Sequence, residues 1–81
     1  MNFEFSKHAL EQMELRGIQK GIVKKILAHP EQIKDEKGEK VYQSIVNKYL
    51  IRIFVNDKRN PKLIITVYKT SKIKKYYESK I

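Results

Sequence analysis

Cysteine is absent from the 81 residues. Its absence excludes disulfides, thiolate-held zinc and a cysteine nucleophile, and suits a reducing compartment. No apolar run exceeds four residues, against the ~20 that a membrane-spanning helix needs. The opening segment, Met1-Asn2-Phe3-Glu4-Phe5-Ser6-Lys7, lacks the apolar stretch of a signal peptide. The expectation is therefore a cytoplasmic protein with no membrane partner. There is no Gly-rich phosphate loop and no nucleophile elbow of the serine hydrolases. The two histidines, His8 and His29, are far apart in sequence and no carboxylates cluster on the expected strands. That is a poor ligand set, so neither a metal nor another cofactor is expected.

What is present fits one small core. At 9.7 kDa with 41% apolar residues, the chain reads as a single domain over residues 1–81. Acidic residues are few, 9 against 18 basic ones, and the imbalance is one-sided. Residues 1–40 carry a net charge of +1 and residues 41–81 a net charge of +8, where only Asp57 and Glu78 are acidic. Such a field attracts polyanions: nucleic acid, an anionic surface or an acidic protein. A lysine-rich composition, with 15 of the 18 basic residues Lys, accounts for the count equally well.

Residue patterning gives the elements. Phe3 and Phe5 alternate with polar residues as in a short edge strand. Ser6 is placed as an N-cap, Phe5 and Leu10 have the spacing of a hydrophobic staple, and Ala9, Leu10 and Met13 share a face. Gly17 suits a left-handed helix end with Ile18 folding back on Met13, which predicts a helix over 7–16. Ile22, Val23, Ile26 and Leu27 repeat at helical spacing, and Pro30 stops a second helix over Lys20–Ala28. From residue 31 the period becomes two. A weak segment at Gln32-Ile33-Lys34 precedes a turn at 36–39, then strands over Val41–Val46, Tyr49–Val55 and Leu63–Lys69. Residues 70–81 are basic and tyrosine-bearing, with a final half-helix. The fold class is α+β, a helical hairpin on one face of an antiparallel sheet.

Alternation divides the strands into faces. Ile51, Ile53 and Val55 on one strand, with Leu63, Ile65 and Val67 on the next, should lie beneath the helices. The opposite face then carries Arg52, Thr66, Tyr68 and Thr70 and no carboxylate. A strict two-residue turn at Asn47-Lys48 pairs Gln43 with Arg52 and sends Tyr42 and Ser44 to the helix side; a bulge reverses this. Arginine, hydroxyls and tyrosines on an open face suit a phosphate-bearing ligand. An ordinary half-solvated sheet has the same composition.

Phe5-Ser6-Lys7-His8-Ala9, Met13 and Leu15-Arg16-Gly17-Ile18, with Ile64-Ile65-Thr66-Val67-Tyr68-Lys69-Thr70-Ser71-Lys72 near the other end, resemble a widespread prokaryotic family of small domains of unknown function. That family is similar to the RelE/ParE-like toxins, including the BrnT branch, and to barnase-like and colicin-like ribonucleases. The resemblance implies a toxin of a toxin–antitoxin pair, with RNA as ligand and an acidic antitoxin-like protein as partner. RelE-like members cleave RNA without a metal, whereas ParE-like members inhibit gyrase. Carried over by position, His8, Arg16 and Arg52 match family residues, Lys69 or Lys72 the basic group after the last strand, and Tyr76 or Tyr77 the C-terminal tyrosine. Lysine stands where active toxins carry a second arginine.

The candidate catalytic set is thus His8, Arg52, Tyr68 and Thr70, and the candidate nucleic-acid contacts are Arg16, Lys69, Lys72, Lys74, Lys75 and Tyr76. In the implied reaction a ribose 2′-hydroxyl attacks the adjacent phosphate, Arg52 and a tail lysine stabilise the phosphorane, and His8 or Tyr68 moves protons. His8 and Arg16 stand roughly 12 Å apart along a helix, too far to share one phosphate. The alternative is a non-catalytic module that binds nucleic acid or protein through the same basic face.

Overall fold

Ser6 joins the two layers of the structure, a computed structural model that describes residues 3–78. Its hydroxyl accepts from the Ala9 amide at 3.0 Å, capping helix α1 (Lys7–Arg16), and donates to the Ile65 carbonyl at 2.9 Å. Its own amide donates to the Ile64 carbonyl at 3.0 Å. At the other end of α1, Gly17 adopts φ 66°, and the amides of Gly17 and Ile18 bond back to the carbonyls of Glu14 and Met13. This is the glycine-terminated helix stop anticipated from the residues. Helix α2 spans Lys20–Ala28, and both helices have the expected bounds.

The sheet is five-stranded and mixed, in the order β1-β5-β4-β3-β2. Strand β1 (Phe3–Phe5) runs parallel to β5 (Lys62–Thr70); β2 (Gln32–Glu36), β3 (Glu39–Val46), β4 (Tyr49–Asn56) and β5 pair antiparallel. The α+β class holds, with a parallel edge strand added to the antiparallel sheet. The weak segment at residue 32 is a full strand. Its hairpin to β3 turns through Lys37 and Gly38, both at positive φ.

The β3–β4 hairpin turns through Asn47 and Lys48, with φ of 49° and 71°. Two successive left-handed residues make the type I′ turn that matches strand twist. Gln43 therefore pairs with Arg52, and Tyr42 packs against the core beneath the helices. Ser44, buried, accepts from the Glu31 amide at 3.0 Å.

One facing assignment is overturned. Val55 pairs with Ile64 but Phe54 pairs with Thr66, so Ile65 is an extra residue in β5, a bulge. The bulge shifts the alternation, and Ile64 and Val67 are the β5 residues in the core, both 0% exposed, instead of Leu63, Ile65 and Val67. The Ile65 carbonyl freed there is the one that receives Ser6. The core also holds Ala9, Met13, Ile18, Val23, Ile26, Leu27, Ile51, Ile53 and Val55. Leu10, expected beside Ala9 and Met13, is 38% exposed and stays outside it. Among the described residues, no helix is long and apolar enough to cross a membrane.

Candidate functional site

Four strands contribute one transverse row on the face away from the helices: Gln32, Gln43, Arg52 and Tyr68, paired in register from β2 to β5. Gln43 donates to Gln32 Oε1 at 2.7 Å, and Arg52 Nε donates to Gln43 Oε1 at 2.9 Å. Arg52 lies opposite the helices because Ile51 and Ile53 take the core side.

The face is not open at this row. After β5 the chain turns at Thr70, whose hydroxyl oxygen accepts from the Lys72 amide at 3.0 Å. It then forms a single helical turn, α3 (Ile73–Tyr76), that crosses the sheet. The Tyr76 carbonyl accepts from Gln43 Nε2 and from Lys34 Nζ, both at 3.1 Å. Gln32 donates to the Glu78 carbonyl at 2.5 Å and accepts from the Glu78 amide at 3.1 Å. The Tyr76 ring lies over the Arg52 guanidinium, 4.3 Å from centroid to carbon, and meets Tyr68 edge-on at 6.2 Å. Phe54 lies 5.3 Å from the guanidinium. Arg52 is consequently only 3% exposed.

A carboxylate is present after all. Arg52 Nη2 is ion-paired and hydrogen-bonded to Glu36, at the end of β2. The expectation of a carboxylate-free face fails because Glu36 was placed in a turn, whereas β2 extends through it and alternation brings Glu36 to the same side as Gln32 and Lys34. A guanidinium removed from water needs a counter-charge, and Glu36 supplies it.

The other candidates divide by location. Tyr68 and Tyr76 join Arg52, and Lys75 Nζ lies 5.3 Å from the Tyr76 ring centroid. The Tyr76 phenol is held below the usual tyrosine range, first by its hydrogen bond with Tyr68 and then by the positive charges of Lys75 and Arg52. The neighbouring Tyr77 phenol is pushed up, by burial and by the Glu31 carboxylate. Arg16 reaches the row from its flank, its guanidinium 5.7 Å from the Tyr68 centroid and its Nε buried without a partner. Lys72, Lys74 and Lys75 are exposed and make no ion pair among the described residues.

Three candidates do not converge. His8 is exposed on the first turn of α1, in the helical layer, with the sheet between it and Arg52. Thr70 is buried and shapes the turn into α3. Lys69 points to the helix side, opposite to Tyr68, where its Nζ donates to the Arg16 carbonyl at 3.2 Å and lies 5.0 Å from the Tyr49 ring centroid. Gln43, Gln32, Lys34 and Glu36 were missed as members of the site. The paired facing of Gln43 and Arg52 under a two-residue turn was the one available signal. Among the described residues no three His, Asp or Glu side chains gather as a metal would require.

The model of one protein family matches residues 5–69: the domain of unknown function DUF4258. The chain belongs to this family. The match spans both helices and most of the sheet, including Arg16, Arg52 and Tyr68, and stops before Tyr76. No curated protein and no solved structure matches.

Proposed function

We propose that this DUF4258 domain is a RelE/ParE-like module that binds single-stranded RNA through the Arg52 face and its basic tail. The observation that carries the reading is the convergence of Arg52, Tyr68 and Tyr76 under a tail that carries exposed Lys72, Lys74 and Lys75. Cations neutralise phosphates and release counterions, while the half-buried Tyr68 and Tyr76 rings offer the part they leave in solvent to an unstacked base. The +8 charge of residues 41–81 attracts a polyanion, and exposed Lys72, Lys74 and Lys75 of the tail present part of it beside this face.

Metal-independent cleavage is the second reading, and the depressed Tyr76 phenol beside Arg52 favours it. Tyr76, rather than the distant His8, then moves the proton of the 2′-hydroxyl. Arg52 serves the phosphorane only after exchanging Glu36 for a phosphate oxygen. In the arrangement observed, its charge is already matched by Glu36, so turnover requires that exchange whereas binding rests on the exposed lysines of the tail.

The test is a titration of single-stranded RNA in EDTA at low and at moderate salt, with product analysis on the same samples. Binding that weakens steeply with salt, and weakens further in Lys74→Ala, supports the reading. Cleavage lost in Arg52→Ala and in Tyr76→Phe selects the catalytic version. No binding at low salt refutes the proposal.

A further inference from the structure

A second aromatic and cationic site lies on the other side of β5. Between the Gly17-Ile18 joint that follows α1 and the Asn47-Lys48 hairpin is a solvent-open pocket of about 260 Å³. An apolar cavity of ~150 Å³ suffices for a benzene ring. Its lining includes Ile18, Val46, Ile51, Asn47, Tyr49 and Lys69. Ile18 and Ile51 are buried, whereas Tyr49 is 43% exposed, a large ring left in water at the pocket edge. The Lys69 ammonium is held over that ring by the Arg16 carbonyl. One of its three protons is used there, so two remain for another acceptor.

Arg16 ties this pocket to the Arg52 face. Its carbonyl meets Lys69 while its guanidinium lies over Tyr68, and residues 68 and 69 point to opposite sides of the strand. The Arg16 side chain therefore passes around the edge of β5. β1 pairs only with Lys62, Leu63 and Ile64, so that edge carries no strand partner at Tyr68 and Lys69 among the described residues. A strand of RNA leaving the Tyr68–Tyr76 surface meets Arg16 at the edge and Lys69 beyond it.

We infer that the pocket takes one unstacked nucleobase of the bound single strand, a role that rests on the RNA-binding reading above. The base stacks on Tyr49 over the aliphatic floor of Ile18, Val46 and Ile51, and the Asn47 amide reaches its polar edge. The adjoining phosphate sits on Lys69. An apolar slot with a ring wall and a single cation at its mouth suits a planar base with a phosphate attached better than a free phosphate, which needs no floor.

The test uses a short single-stranded RNA of mixed sequence, titrated against wild type, Tyr49→Ala and Tyr49→Phe, with amide chemical shifts followed by NMR. Tyr49→Ala should weaken binding about 5- to 150-fold, the worth of one base stacked on a ring, and Tyr49→Phe should retain it. Amides of Gly17, Asn47 and Tyr49 should shift on RNA addition and fail to shift with inorganic phosphate. If wild type binds but Tyr49→Ala binds equally well and the shifts stay within residues 68–78, the pocket inference falls and the RNA-binding reading stands. If wild type binds no RNA at low salt, both fall. The wild-type-like amide spectrum expected of Tyr49→Ala, a substitution at a half-exposed position, separates lost binding from lost folding.

Discussion

Replacing Glu36 by leucine should cost this domain far more than a change at a partly exposed glutamate usually does. Glu36 is 33% exposed but its partner Arg52 only 3%, so the charge left unpaired is the one that cannot turn to water. Gln43 still accepts from Nε at 2.9 Å and the Tyr76 ring still covers the guanidinium, but neither neutralises it. Removing one partner of a buried pair costs ~3–5 kcal/mol. The exposure of the Glu36 end places the expectation at about 3 kcal/mol by the same scale. With a urea m-value of ~1 kcal/mol/M for a small domain, the unfolding midpoint should fall by about 3 M. The melting temperature should fall by more than ~12 °C. Arg52→Met should cost less, because the stranded Glu36 carboxylate reaches solvent. The double variant Arg52→Met/Glu36→Leu should regain much of the loss, since a well-packed apolar pair often replaces a buried ion pair without penalty. Circular dichroism followed through urea titration measures all four corners of this cycle. Glu36→Leu within ~1 kcal/mol of wild type, or a double variant no better than additive, would refute the account of Arg52 as a buried, singly compensated charge.

Three further outcomes follow from the geometry. Ser6→Ala removes both the α1 cap and the bond to the Ile65 carbonyl, and should destabilise by about 2 kcal/mol in the same assay. Lys48→Gly places glycine at φ 71°, in the second position of a type I′ turn, and should stabilise by on the order of 1 kcal/mol, read as a raised melting temperature. In an alkaline titration followed by phenolate absorbance, Tyr76 should ionise below the ordinary tyrosine value and Tyr77 above it, the two signals being assigned with Tyr76→Phe and Tyr77→Phe. A lowered folded-state pKa at Tyr76 adds stability as pH rises through that pKa, complete above the unfolded value near 10.0. The raised pKa of Tyr77 contributes stability that is lost as pH rises above its own unfolded value.

Local signals located the elements and were weaker on what the strands present. Ser6, Gly17 and Pro30 act within one helical turn, and the helix bounds they imply are those found. The side of the sheet that receives Arg52 was equally legible, because Ile51 and Ile53 leave it no choice. The β5 facing was not, since a bulge at Ile65 depends on β1 and Ser6 arriving from 59 residues away. Glu36 beside Arg52 escaped for a related reason. Its strand, Gln32–Glu36, has one apolar residue and is held in place by pairing with β3, an influence that periodicity does not register. The covering of the face by α3 depends on main-chain acceptors at Tyr76 and Glu78, and main-chain acceptors leave no trace in residue identity.

Those acceptors have a consequence for how the tail can vary. Gln43 and Lys34 grip the carbonyl of residue 76, and Gln32 grips both main-chain groups of residue 78. These main-chain contacts are blind to the side chains they hold, and the Lys34–Glu78 ion pair at 3.7 Å is the contact beside them that is not. Another sequence threaded through the same positions finds the same donors, and only the ring at position 76 carries identity into the space above Arg52. The body of the domain thus acts as a socket whose fastening is largely generic, and the side chain at position 76 sets what lies over the arginine.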